Sequence, residues 1–239
     1  MLDRTLRYFS QEEVDKVRNT TVAISGLGGV GAITAELLAR WGIKRFRLLD
    51  MDKYEPSNLN RQLFATSKTL GRYKVDVAAD RIQEINPQAQ IEIKIPERVT
   101  NDNVDDFIQG AGISIQNADY PSCKLFYLAA REHKVPLVNG YATITGGRVQ
   151  TFDYRYSSCN HWLEKLWHRL KHGSSKSLRE CRPEEIRNFD QANVHPTAPS
   201  INFVTNMVGC LITAEAIKII TRRNKIINYK SRLDRYSLF

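Results

Sequence analysis

The chain has 239 residues, a formal net charge of +9, 42% hydrophobic and 26% charged residues. Those proportions exclude global disorder and fit one large α/β domain over residues 1–239. A membrane helix needs roughly 20 apolar residues, and Glu215 and Lys218 interrupt the best run, residues 204–220. The N-terminal stretch MLDRTLRYFSQEEVDK has no apolar h-region, so it does not read as a secretory signal. Four cysteines, at positions 123, 159, 181 and 210, are too irregularly spaced for a disulfide framework, and the cytoplasm is the default compartment.

In chain order, residues 12–19 read as a short polar helix and residues 21–25 (TVAIS) as a buried strand. The strand runs into Gly26-Leu27-Gly28-Gly29-Val30-Gly31. Ile33, Leu37, Leu38 and Trp41 then recur at helical spacing, with Gly42 placed as a C′ glycine. Residues 45–50 (RFRLLD) form a second strand, completing a βαβ unit with a right-handed crossover. The alternation continues with a helix face at Val75, Ala78, Ala79, Ile82 and Ile85 and a strand at 90–95. Asn101 is expected to cap a helix running to Ile108, and 113–117 is an apolar strand. Next come a helix over 121–133, a strand at 136–139 and an extended segment starting GGRVQTFDY. The expected fold is a doubly wound, mostly parallel, Rossmann-like sheet with helices on both faces.

The alternation fails over residues 155–199, which hold one amphipathic helix and a polar, proline-containing stretch. A long irregular segment inside a domain is usually functional, so 155–199 reads as a mobile crossover covering the substrate. Residues 200–221 form a long helix that is apolar over most of its circumference, which requires burial in the core or at a subunit interface; a symmetric dimer is the commonest solution. Residues 222–239 read as a basic C-terminal extension: from Lys218 onward seven basic residues face one acid, Asp234. No aromatic interleaving or nucleic-acid motif accompanies that charge, so a solvated tail is the better reading and nucleic acid is not expected as a partner.

Glycines 26, 28 and 31 fit the G-x-G-x-x-G spacing, which lets backbone approach phosphate and aims a helix N-terminus at it. By itself the turn allows NAD, FAD or ATP, and Asp50 at the end of the next strand suits a ribose hydroxyl in any of them. The residues after that strand narrow the choice. Asn58 and Arg61, then Lys74, place an amide, a guanidinium fork and a point charge just past the second strand, a set for a triphosphate rather than a dinucleotide. Asp119, beyond the strand at 113–117, is placed as a Mg²⁺ ligand facing phosphates.

These motifs together (GLGGVG, LLDMD, NLNRQ, GRYK ending at Lys74, and Asn117-Ala118-Asp119) resemble the ThiF/MoeB family, bacterial relatives of ubiquitin-activating enzymes. The VNGYATITGGRVQTF segment and the helix from Ser200 also fit, so the resemblance covers most of the chain. It implies an ATP·Mg²⁺-dependent adenylyltransferase in which a carboxylate attacks the α-phosphate, giving an acyl-adenylate and pyrophosphate. It implies that Gly26, Gly28, Gly29 and Gly31 face the nucleotide, that Asp50 holds the ribose, with Asp52 beside it, and that Asn58, Arg61, Gln62 and Lys74 hold phosphates. Arg61, Lys74 and Asp119 would carry the chemistry, with Asp119 on Mg²⁺. The implied substrate is the C-terminus of a small carrier protein or peptide, or a small-molecule carboxylate; the implied assembly is a homodimer.

Three departures stand out. Many members carry an arginine that reaches the partner subunit's site where this chain has Ser10. Many carry two C-x-x-C zinc pairs, which this chain lacks; Cys159 with His161, His168 and His172 is a poor substitute, so zinc is not expected. Ubiquitin-activating relatives pass the acyl group to a thiol, and Cys181, between Arg179 and Arg182, is the positional candidate, against the reading of an incidental loop cysteine. Cys210 is expected in the core. Two other functions compete: a nicotinamide-dependent oxidoreductase, and an inactive regulatory subunit of an activating heterodimer.

Overall fold

The computed structural model describes residues 2–119, 122–142, 146–155, 200–222 and, for the backbone, 232–237. Helix α1 (Gln11–Arg18) opens with a capping box: the Ser10 hydroxyl accepts from the Glu13 N–H, and the Glu13 carboxylate accepts from the Ser10 N–H. The residue standing in for an arginine thus has a local task, satisfying two amides that a helix start leaves unpaired. Strand β1 (Thr21–Ser25) is buried along its whole length, as strands covered on both faces are. Helix α2 (Gly29–Arg40) ends at Trp41, with Gly42 following at φ +81°. Strand β2 (Arg45–Leu49), helix α3 (Lys74–Ile85) and strand β3 (Gln90–Ile95) complete the first half.

In the second half, helix α4 (Asn101–Ile108) is capped by Thr100, whose hydroxyl accepts from the Asn103 N–H. The cap expected at Asn101 lies one residue earlier, because threonine supplies the hydroxyl and Asn103 completes a capping box. Strand β4 (Ile113–Gln116), helix α5 (Cys123–Glu132), strand β5 (Leu137–Ala142) and strand β6 (Gly146–Phe152) come next, then helix α6 (Asn202–Thr221) and strand β7 (Arg232–Ser237).

The seven strands form one sheet in the order β3-β2-β1-β4-β5-β6-β7. The first five are mutually parallel, while β6 and β7 are antiparallel to their neighbours. Part of the expected C-terminal extension is therefore the edge strand of the sheet: β7 pairs with β6 from Thr151↔Arg232 to Gly146↔Ser237. Helices cover both faces. One core joins α2, α3 and α6 to the sheet through Leu38, Ile82, Val208 and Ile212; the other joins α4 and α5 through Phe107, Ile108, Phe126 and Ala129. The doubly wound α/β fold matches the sequence reading.

Helix α6 packs against α2, β5 and β6. Gly209 lets it approach α2 so closely that a Cβ there would meet the Val30 carbonyl oxygen at 2.8 Å. By length and composition α6 could cross a membrane, with a mean hydropathy of 1.6, so Glu215 and Lys218 do not interrupt it as fully as the sequence suggests. Its packing makes it a core helix, with Val204, Val208, Ile212 and Ala216 fully buried. Cys210 corrects the sequence expectation: it is exposed, on the outer side of α6. There it lines a groove of about 660 Å³ with Tyr8, Phe9, Trp41 and Ile217. The segment 156–199, with Cys159, Cys181 and the histidines of the zinc argument, lies outside the described residues.

Candidate nucleotide site

The sheet order reverses direction between β1 and β4: from β1 the chain winds outward through β2 and β3, then returns to β4 and β5. In open α/β sheets ligands bind at such a switch point, outside the carboxyl ends of the strands. The glycine turn leaves β1 there, and Asn117-Ala118-Asp119 leaves β4 beside it.

At Gly26 and Gly31 the turn is held by backbone contacts that admit no side chain. Gly26 sits at φ +78°, and a Cβ on it would come within 2.7 Å of the Asn117 carbonyl. A Cβ on Gly31 would collide with the Gly26 carbonyl oxygen. Gly28 differs: a Cβ there would meet only the Gln62 amide, at 3.6 Å, so its missing side chain leaves open room rather than relieving a clash. Gly28 is also the N-cap of α2, so no side chain occupies the helix N-terminus. A 12-residue helix presents partial positive charge and free N–H groups at that end.

Asp50, just past β2, ties the turn to the next loop. Its Oδ2 accepts from the Leu27 N–H at 2.6 Å and its Oδ1 from the Asp52 N–H at 2.9 Å. Burial pushes the Asp50 carboxyl above the ordinary carboxylate range, against the opposing pull of Lys74 and of those two amides. Tyr54, buried below, donates its hydroxyl to the Leu27 carbonyl at 3.4 Å; burial, then the Asp50 charge, raises its pKa. Lys74 is the first residue of α3. Its side chain is only 7% exposed, and Nζ donates to Asp52 Oδ2 at 2.8 Å, while Asp52 is half exposed. An ammonium this deep needs a carboxylate partner. Asp52 serves as that partner.

The loop between β2 and α3 closes the other side. A 3-10 turn at Pro56–Asn58 is held by Asn58, whose Oδ1 accepts from the Glu55 N–H at 3.1 Å. Gln62 is buried against Gly28, and its Oε1 has no hydrogen-bond partner in the chain. Arg61 folds back on its own loop, donating to the Ser57 carbonyl at 2.8 Å and to Asn60 Oδ1 at 2.9 Å. Thr205 at the start of α6 packs 3.0 Å from where a Gly29 Cβ would stand and donates to the Arg61 carbonyl at 3.4 Å.

The structure thus gathers Gly26, Gly28, Gly29, Gly31, Asp50, Asp52, Gln62 and Lys74 at the turn. Asn58 supports the loop from within, and Arg61 must leave its loop partners to reach a ligand. Asp119 is exposed at the carboxyl edge of β4. Among the described residues no preformed cluster of three or more metal-ligating side chains exists. An exposed carboxylate at a strand end suits Mg²⁺, which binds through one or two carboxylates plus substrate phosphates and water. Gln62 Oε1 and both amide atoms of Asn117 are buried without partners around the turn, as befits a site whose hydrogen bonding is completed by a ligand. Sequence reasoning placed Asn117 in the motif ending at Asp119 without giving it a role and assigned none to Thr205, since both act through contacts made in the fold.

A doubly wound sheet with a glycine-rich turn at its switch point, bordered by Asp50, Gln62 and Asn117, has the architecture of the nucleotide-binding α/β class. The chain belongs to the ThiF family, whose profile matches residues 2–239. The tRNA threonylcarbamoyladenosine dehydratase of Escherichia coli (strain K12) is 32% identical over 177 residues, 70% of this chain and 64% of the relative. The molybdopterin-synthase adenylyltransferase of Salmonella typhimurium is 32% identical over 164 residues, 68% of this chain and 66% of the relative. The chain therefore aligns with just under two thirds of these relatives' length. The crystal structure of the E. coli dehydratase in complex with ATP superposes with a TM-score of 0.69 at 26% identity, covering 92% of this chain and 93% of that one.

Proposed function

We propose that the chain is an ATP·Mg²⁺-dependent adenylyltransferase that activates a carboxylate as an acyl-adenylate. One observation carries the reading: a buried lysine, paired with a half-exposed aspartate, is linked through Asp50 to an uncapped glycine turn at the sheet's switch point. The likeness to an ATP-bound relative supports it. A nicotinamide-dependent oxidoreductase would use the turn and Asp50 but give Arg61, Lys74 and Asp119 nothing to do. An inactive subunit would have no need to keep all three.

The chemistry follows from charge. A carboxylate oxygen attacks the α-phosphorus, forming the acyl–phosphate bond as the bond to the pyrophosphate oxygen breaks. The nucleophile is already ionised near neutral pH, so no general base is required. The barrier is repulsion between a carboxylate and a polyphosphate, and positioned cations lower it. The N–H groups at the turn and Gly26, Gly28, Gly29 and Gly31 cradle phosphate. Lys74 exchanges Asp52 for a phosphate oxygen, Arg61 swings from its loop to the leaving pyrophosphate, and Asn58 and Gln62 fix the loop against it. Asp50 takes a ribose hydroxyl with lone pairs left beside its two N–H contacts. Asp119 holds Mg²⁺, which when bound supplies further neutralisation of phosphate charge.

The substrate is the C-terminus of a small carrier protein or peptide, or a small-molecule carboxylate, in a cofactor or peptide-natural-product pathway. The setting is a cytoplasmic homodimer, and Cys181 is the thiol for any onward acyl transfer. Isotope exchange between pyrophosphate and ATP, run with carboxylates of both classes, tests the reading. Exchange that depends on an added carboxylate is expected. Absence of exchange with both classes, in protein shown to be folded, would contradict it.

A further inference from the structure

Asn117 stands one residue past β4, and its N–H donates to the Ser25 carbonyl at 2.8 Å. Its own carbonyl presses on Gly26, and its Nδ2 lies 3.4 Å from where a Gly31 Cβ would stand. The carboxamide is thus lodged between the strand end and the first turn of α2. Both Oδ1 and Nδ2 are buried, and neither has a hydrogen-bond partner in the chain. A primary amide offers two donors and an acceptor with two lone pairs. Leaving such groups dry and unpaired costs about 1–3 kcal/mol each. No hydrogen bond within the chain uses this amide, and an alanine here would leave no unpaired polar side-chain atom. Beside Gly28 of the same turn, Gln62, nine-tenths buried, packs with its Nε2 toward the glycine and carries a second unpartnered oxygen, Oε1. The turn is bordered by two carboxamides with unspent hydrogen-bonding capacity.

We propose that Asn117 is a further ligand-contacting residue of the nucleotide site, whose Nδ2 donates to a non-bridging oxygen of the α-phosphate. The inference rests on the adenylation reading and extends it. Asn117 lies between the turn and Asp119, two residues on, and its Nδ2 already faces Gly31, so a turn of the carboxamide past that glycine takes it toward the phosphorus that a carboxylate attacks. There a neutral donor stabilises the charge that grows on the oxygen without adding a cation that would also hold the product.

The test compares wild type, Asn117→Ala and Asn117→Asp as full chains, with ATP·Mg²⁺, AMP and adenosine as probes. In Asn117→Ala the ligand-free Tm is expected to stay level or rise, because an unpaired buried amide is removed. Affinity for ATP and AMP should fall alike, about tenfold for one charged hydrogen bond, while adenosine binding is unchanged. In wild type the Asn117 side-chain amide resonances, assigned by their loss in Asn117→Asp, should shift on adding AMP and not on adding adenosine. Unmoved resonances on an AMP-saturated wild type would overturn the assignment, whether or not the alanine variant folds. So would a lower Tm with unchanged nucleotide affinity, the mark of a purely structural amide. If wild type binds neither ATP nor AMP, the adenylation reading falls as well; if it binds both and Asn117→Ala binds them equally well, only this assignment falls.

Discussion

At the scale of single residues, the glycines of the turn do two different things, and substitution separates them. Gly31 has no room for a methyl group against the Gly26 carbonyl, whereas Gly28 has ordinary clearance to Gln62. Gly31→Ala is therefore expected to destabilise the fold by about 3 kcal/mol, an overpacking cost at the high end of the usual range, which lowers Tm by roughly 6–12 °C in a chain of this size. Gly28→Ala should shift stability by under about 1 kcal/mol but place a methyl group where phosphate would dock, abolishing ATP protection while leaving the Tm of the free protein in place. Thermal scans with and without ATP·Mg²⁺ check both, and equal behaviour of the two variants would contradict the division of roles. Much at this scale was legible in the sequence. The spacing of the glycines, Asp50 and Lys74 is local, and the chain brings them together through a single βα turn and loop. Asn117 was not legible as a site residue, because an unpaired amide is a property of burial. Nor was the exposure of Cys210: apolar neighbours in sequence surround it, but the outer side of α6 faces a groove.

At the scale of elements, α2 and α3 are joined by a charge cluster that periodicity does not reveal. Glu36 on α2 is buried and accepts from Arg40 at 2.9 Å and from Arg81 on α3 at 2.9 Å. Burial alone would raise its carboxyl, but the hydrogen bonds and charges of Arg81 and Arg40 outweigh it, and the net pKa is lowered from 4.5. A carboxyl whose folded pKa is depressed contributes stability above its unfolded pKa and loses it as pH falls through the folded value. Glu36→Gln should therefore lower Tm at neutral pH, and the gap to wild type should close below about pH 4. Parallel curves across pH 3–7 would show that the cluster contributes nothing specific. The helices and parallel strands themselves were readable because their patterns are local: period 3.6 for α2 and α3, a short β-branched run for β1 and alternating isoleucines for β4. Strand β7 was hidden for the opposite reason. Residues 232–237 (RLDRYS) are mostly polar, and their strand form comes from pairing with β6 rather than from their own pattern.

At the scale of the whole molecule, the reversal between β1 and β4 creates the crevice, and the described residues proposed for function lie on its carboxyl edge. The sequence foretold the α/β class and the winding, but the antiparallel ending through β6 and β7 depends on how the last third of the chain returns, which strand propensities do not encode. The central claim is that the crevice grips a polyphosphate through Lys74. Its most direct test is thermal protection of wild type and Lys74→Ala by ATP·Mg²⁺ and by NAD. A ligand that binds only the folded state, present at about 100 times its Kd, adds about 2.7 kcal/mol of stability. Wild type should be protected by ATP·Mg²⁺ and not by NAD, and Lys74→Ala should lose that protection while remaining folded. Protection by NAD alone, or full ATP protection of Lys74→Ala, would contradict the account.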